Sequence, residues 1–206
     1  FYINFRGKAV KDKIQCIFDK HNGNLSLKDA RSEGLSPMTL DRLAEKDKIE
    51  KVAPGFYTLK EAFVDELYLA QSIYSRGIFS HETALDLFQV GTYIPKKINM
   101  MFPKGYNVSK EKLDEYAIQP HYTNKENFDL GITETESFYG NKILVYDLER
   151  TLCDMWNPRY KASVEVKQEA LKEYMTSTSR NTNKLRRYMD ILKSPKEMTL
   201  YMLPLY

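Results

Sequence analysis

The sequence predicts an α+β chain: an amino-terminal winged helix-turn-helix over residues 1–60, then an α+β domain over 61–206 with a mostly antiparallel sheet and a helical end. Three observations predict it. Residues 26–46 carry two short capped helices joined at a glycine, the helix-turn-helix pattern. The runs KIEKV and FYTL flank Pro54-Gly55, which makes a β-hairpin, or wing. Beyond residue 61, short strand-like runs with hairpin turns lie between helical stretches, which suits an α+β domain.

Each element has its own local signal. Residues 8–21 place Val10, Ile14, Ile17 and Phe18 at helical spacing, and Asn22-Gly23-Asn24 ends that helix. Ser26 followed by Asp29 resembles a capping box opening the next helix, and Gly34 marks a turn. Ser36 is then an N-cap with Pro37 in the first helical position. On the helix that follows, Leu40, Leu43 and Ala44 share one arc, while Met38, Thr39, Asp41, Arg42, Glu45 and Lys46 face away. Residues 62–75 form an amphipathic bridging helix, and Ser80 caps a helix at 81–89. Residues 94–102 alternate as a strand, and Pro103 to Asn107 make a turn. Further strands are expected at 117–122, 132–138 and 142–146, the last two joined by a hairpin turn at 139–142. Helices resume at 147–156, 163–175 and 181–193.

Composition bounds the class. With 206 residues, 42% hydrophobic and 29% charged, the chain can bury a real core and suits a soluble, cytoplasmic protein. No apolar run approaches bilayer-spanning length, and FYINF is too short for the apolar region of a signal peptide. The first residue, Phe1, suits a numbering that begins inside a longer product. Cys16 and Cys153 are too few and too far apart for a disulfide framework or zinc site, and are expected as buried free thiols. The net charge of +3 is segregated. Residues 1–60 hold 12 Lys/Arg against 8 Asp/Glu, residues 61–179 hold 13 against 18, and residues 180–206 hold 6 against 2. Cationic ends fit nucleic-acid contact there, and an acidic middle argues against the whole chain wrapping DNA.

The outward face of the helix after Pro37 carries the functional reading. Met38, Thr39 and Arg42 lie in its first turns, the end of a recognition helix that meets base edges. Arg42 suits two hydrogen bonds to guanine O6 and N7, and Thr39 or Met38 suits a thymine methyl. The plainer alternative makes Arg42 and Lys46 part of a solvated face. Asp41 and Glu45 share that face and would repel phosphates or accept from cytosine N4.

The ordered set SPMTLDRL, VAPGFYTL, GIFSHETAL, IPKKINMMFPKGYN and GITETESFYGNKILVYDLERTLCDM resembles the AbiEi antitoxins of type IV toxin–antitoxin systems, found in bacterial abortive-infection (phage-defence) operons. The resemblance runs over residues 8–195. It implies a winged-helix domain that binds double-stranded DNA at the operator of its own operon as a repressor, and a carboxy-terminal domain that supplies antitoxic activity. The implied functional partner is a nucleotidyltransferase-like toxin, countered without a stable complex. DNA-facing roles carry over to Ser36, Met38, Thr39, Arg42 and Lys46, with Lys28, Lys48 and Lys51 as phosphate contacts.

In the second domain the resemblance points to Ser80, His81, Glu82 and Thr83, to Lys96, Lys97, Lys104, Tyr106 and Asn107, and to Asp147, Glu149 and Arg150. His81-Glu82 is not a zinc motif, because Leu85 stands where a second histidine would be. Lys96, Lys97 and Lys104 make either a cationic patch or the blunted edge of a sheet. Asp147 and Glu149 open a helix, where the dipole favours carboxylates in any case. No catalytic residue, cofactor or metal is assigned, and no membrane partner. Two other classes stay open: a nuclease-like enzyme using Asp147 and Glu149 with Lys142, and an interaction protein that grips a toxin directly.

Overall fold

The computed structural model describes residues 5–205, with side chains from Lys13 onward, so residues 1–4 of the FYINF run and the side chain of Val10 lie outside the described set. The chain divides into two compact units, residues 1–75 with 136–143, and residues 76–135 with 144–206.

In the first unit, α1 (Phe5–Lys20) stops where Asn22 and Gly23 take positive φ of 50° and 79°. The chain continues as β1 (Asn24–Ser26), α2 (Leu27–Ser32), α3 (Pro37–Glu45), β2 (Ile49–Ala53), β3 (Phe56–Leu59) and α4 (Glu66–Ile73). The strands form an antiparallel sheet in the order β1-β3-β2. Ile17 and Phe18 of α1, Ala30 of α2, Leu40 of α3 and Ile49 and Tyr57 of the wing close one core over this sheet, with Ile14, Leu43 and Ala44 half-buried at its rim. The apolar arc of α3 thus faces inward, as its spacing requires. Between β2 and β3, Gly55 at φ 79° accepts the left-handed backbone that a turn after Pro54 demands.

Asp65 is buried and fully engaged. Its carboxylate accepts from the Tyr68 backbone N–H at 3.1 Å, capping α4, and from the Asn141 amide at 2.8 Å and the Ser137 hydroxyl. Its own N–H donates to Asn24 Oδ1 at 3.0 Å. A buried carboxylate is tolerable only with such partners.

From residue 76 the chain runs β4 (Ile78–Phe79), α5 (His81–Leu87), β5 (Ile98–Pro103), α6 (Lys110–Glu115), β6 (Ile118–Thr123), α7 (Lys125–Phe128), β7 (Ile132–Glu136), β8 (Lys142–Tyr146), α8 (Leu148–Trp156), α9 (Val164–Thr176), α10 (Thr182–Leu192) and α11 (Lys196–Met202). Its five-stranded sheet has the order β6-β5-β4-β8-β7. In this sheet β4 pairs antiparallel with β5, while β5–β6 and β4–β8 are parallel; the three-stranded sheet is antiparallel throughout. Met100, Met101 and Phe102 of β5 are fully buried, so this inner strand is apolar on both faces instead of alternating. Helices α8 to α11 close a second core around Leu152, Trp156, Leu171, Tyr174, Leu185 and Met198.

Two expectations need correction. The strand expected over 94–102 begins only at Ile98, because Pro95 cannot donate to a ladder and Lys96 and Lys97 stay solvated in the preceding loop. Cys153 is buried as expected, but Cys16 is exposed, on the outer face of α1 one residue before Ile17 and Phe18 turn into the core. Among the described residues no helix is long and apolar enough to cross a membrane.

Candidate nucleic-acid interface

Local capping chemistry sets the two motif helices. Ser26 Oγ accepts from the Asp29 N–H at 3.1 Å, and the Asp29 carboxylate in turn takes the hydroxyls of Ser26 and Tyr68. Burial and that hydrogen bond to Asp29 push the Tyr68 phenol above its ordinary range, so it stays a neutral donor. Gly34, at φ 79°, makes the turn, and Ser36 Oγ accepts from the Thr39 N–H at 3.2 Å. The Ser36 and Thr39 hydroxyls also bond each other at 2.9 Å, so both are largely occupied by capping. The first turn of α3 leaves Met38, 62% exposed, to solvent with Thr39 half-buried, and Arg42, expected in the first turns, is exposed in the last turn of this nine-residue helix.

The wing is tied to this helix. Lys51 Nζ donates to Asp41 Oδ1 at 2.8 Å and the Tyr57 hydroxyl donates to the same oxygen at 2.9 Å. The hydrogen bond from Lys51, then that from Tyr57, holds the Asp41 carboxyl below its ordinary value, and Asp41 raises Lys51 in return. Asp41 is therefore a strut between α3 and β2, its charge answered inside the protein. Lys51, expected as a phosphate contact, is committed to that strut. Lys28 on α2, Lys46 at the C-cap of α3 and Lys48 before β2 are exposed. Glu45 is exposed on the outward side of α3.

The candidates in the second unit separate into different settings. Arg150 is fully buried: its Nε donates to Asp154 at 2.9 Å, its Nη1 donates to the carbonyls of Leu130 at 2.9 Å and Asn127, and its guanidinium lies 4.4 Å from the Tyr146 ring centre. Asp147 caps α8 by accepting from the Arg150 N–H at 2.9 Å. Lys184 reaches both Asp147 and Glu149 at 3.0 Å, while Tyr174 donates to Glu149 at 2.8 Å and Tyr188 to Asp147 at 3.2 Å. This constellation pins α8 to α9 and α10. Lys96 and Lys97 precede β5 and Lys104 follows it, so roughly 20 Å of strand separates them and they form no single patch. Tyr106 stacks on Phe102 with ring centres 5.3 Å apart and has Arg76 over its ring at 5.7 Å, and Asn107 is exposed.

His81 is buried at the start of α5 with φ 50°, a left-handed backbone that strains a non-glycine residue. Its Nδ1 bonds Ser80 Oγ at 2.9 Å, its Nε2 has no partner, and its ring stacks on His121 with centres 3.9 Å apart. Burial lowers both imidazoles, His81 well below the ordinary value and His121 to about 4. Glu82, half-buried beside them in sequence, is raised by burial. Sequence reasoning did not single out His121, Lys184 or Tyr57, whose roles come from contacts across elements that no spacing rule encodes. Among the described residues no group of three or more His, Cys, Asp or Glu could hold a metal ion.

Residues 13–60 match a family model described as "Transcriptional regulator, AbiEi antitoxin". No curated protein matches the chain. Among solved structures, the fold is similar to the crystal structure of the RV2827C protein from Mycobacterium tuberculosis, with a TM-score of 0.54, 10% identity, and coverage of 88% of this chain and 70% of that one. At that identity the likeness is one of fold.

Proposed function

From the premise that residues 13–60 form an AbiEi antitoxin transcriptional-regulator domain, we propose that this chain is a sequence-specific DNA-binding autorepressor and the antitoxin of a type IV toxin–antitoxin pair. The observation that carries the reading is α3, whose buried Leu40 fixes the helix while Met38 stands exposed in its first turn and Arg42 in its last. Inserted in a major groove, Arg42 reads guanine, Met38 and the Thr39 methyl read thymine, and Lys28, Lys46 and Lys48 meet phosphates. The strut from Asp41 to Lys51 and Tyr57 holds the wing at a fixed distance from the helix, so both reach the duplex in one register. Residues 1–60 bind the operator and residues 61–206 carry the antitoxic activity against a nucleotidyltransferase-like toxin, without a stable complex.

Electrophoretic mobility shifts and footprinting on the DNA upstream of the chain's own operon test the repressor reading. The expected result is a protected site whose affinity falls steeply with salt and is lost to competitor DNA only at high excess. No preference for that DNA over unrelated duplex overturns it. The nuclease alternative draws no support from Asp147 and Glu149, which are engaged by Lys184, Tyr174 and Tyr188.

A further inference from the structure

A groove of about 900 Å³ opens in the second unit, between the edge strand β6, the turn Pro158–Tyr160 and the end of α10. Its size is that of a small-molecule site, far short of a bed for a duplex. Three cations line it, Lys104, Arg159 and Lys193, all exposed, and none forms an ion pair among the described residues. Glu126 is the one carboxylate in the lining. Unanswered positive charge in a concavity raises the local concentration of anions.

The rest of the lining suits an aromatic, hydrogen-bonding partner for those cations. Tyr122, 37% exposed, lies on the opposite strand face from His121, with its ring tilted against Phe102 at 6.0 Å between centres and the remainder open to solvent. His121 Nε2 meets Asn99 Oδ1 at 2.9 Å and so donates to it, which leaves Nδ1 of the neutral ring as an acceptor. Behind His121 lies the stacked His81, whose buried Nε2 is unbonded, at a strained backbone position.

An added peptide strand is the competing occupant of any sheet edge, and here the edge is blunted. The carbonyls of Ala117 and Thr123 accept from β5 and the residue after it, so the alternate residues 118, 120 and 122 turn their backbone outward. Of these, Pro120 has no N–H, and the Tyr122 carbonyl is covered by the Tyr160 hydroxyl at 3.4 Å.

We propose that this groove binds a nucleotide, its phosphates held by Lys104, Arg159 and Lys193 and its base stacked on Tyr122. The site is independent of the DNA-binding role of α3. Titration calorimetry of the full chain with ATP and GTP, and with inorganic tripolyphosphate as the base-free control, tests it. Saturable binding of a nucleoside triphosphate is expected, and Lys104→Glu and Arg159→Glu each weaken it roughly tenfold or more, in line with loss of a charge-assisted contact. Tyr122→Ala weakens nucleotide binding but not tripolyphosphate binding. Each substituted residue lies at the surface, and an unchanged melting temperature certifies the fold. Absence of binding, binding unaltered by the charge reversals, or tripolyphosphate binding as tightly as the nucleotides overturns the proposal.

Discussion

Two arginines show how far a single residue's role can be read from its position in the sequence. Arg42 was legible, because capping at Ser36-Pro37 fixes the helix phase and the phase puts Arg42 outside. Its replacement by alanine is expected to weaken operator binding by about 1–3 kcal/mol and relax preference at one base pair, read by mobility shift against operators altered one pair at a time. Arg150 was not legible as a core residue, since a charged side chain at a helix start normally points to water, and nothing local announces the carbonyls of Asn127 and Leu130 that receive it. Burial pushes Asp154 up to about 6 even with Arg150 beside it, so Arg150→Met leaves a carboxyl that must protonate. That variant is expected to lose about 3–5 kcal/mol of stability in urea unfolding at neutral pH. Protonation of Asp154 relieves part of the loss, so the deficit should be smaller at pH 5 than at pH 8, and a pH-independent deficit would contradict the buried-charge account. Asp41 looked like an obstacle to phosphate binding and is instead the anchor of Lys51. Asp41→Asn should break the strut and so weaken operator affinity, while the released Lys51 steepens the salt dependence by about one phosphate contact, measured from the slope of log affinity against log salt.

At the scale of elements, long periodic segments were readable and short ones were not. Helices α1, α3 and α8 to α10 and strands β2, β3 and β6 to β8 fall where periodicity, caps and the Pro54-Gly55 turn put them, because each signal is local. The three-residue β1, the two-residue β4 and the short α6, α7 and α11 are too brief for any period to emerge, and their pairing or packing creates them. The parallel joint of β5 with β6 was invisible for the same reason: direction of pairing is set by connections, here through α6. The stacked pair His81 and His121, from α5 and β6, gives these elements a pH dependence. Burial holds His121 down at about 4 and His81 well below its ordinary value, so the unfolded chain binds protons more readily than the folded one once the pH drops below about 6.5. The folded state therefore loses stability between about pH 6.5 and 4, by up to about 1.4 kcal/mol per pH unit for each histidine. Asp154, raised to about 6, acts in the opposite direction below about pH 6, over most of that window, and offsets one of the two protons. His121→Phe keeps a stacking ring and removes one titration, and should flatten the profile of melting temperature against pH by about one proton. An unchanged profile would mean the pair is solvated in solution.

For the whole molecule, the division of labour between its two units is the question on which the antitoxin reading turns. Charge already separates along the chain, with excess cations in residues 1–60 and 180–206 and excess acid between them. The DNA-facing residues of α3 draw all their supports from the first unit: Ser36 for the cap, Lys51 and Tyr57 for the strut, Leu40 for the core. The constellation around Arg150 and the groove beside β6 draw theirs from the second. Energetic independence is expected where no partner is shared, since effects with separate partners add. A full-length chain carrying Arg42→Ala together with Met38→Ala should then lose repression of a reporter driven by its own operator while still rescuing growth when the toxin is induced. Both substitutions sit on an exposed face, so the fold is retained and expression from a foreign promoter keeps the protein level constant. Growth rescue scored beside reporter output in the same cells reads both activities at once. Failure of rescue at wild-type protein levels would mean that the α3 face also serves the antitoxic activity, and the two units would not divide the labour.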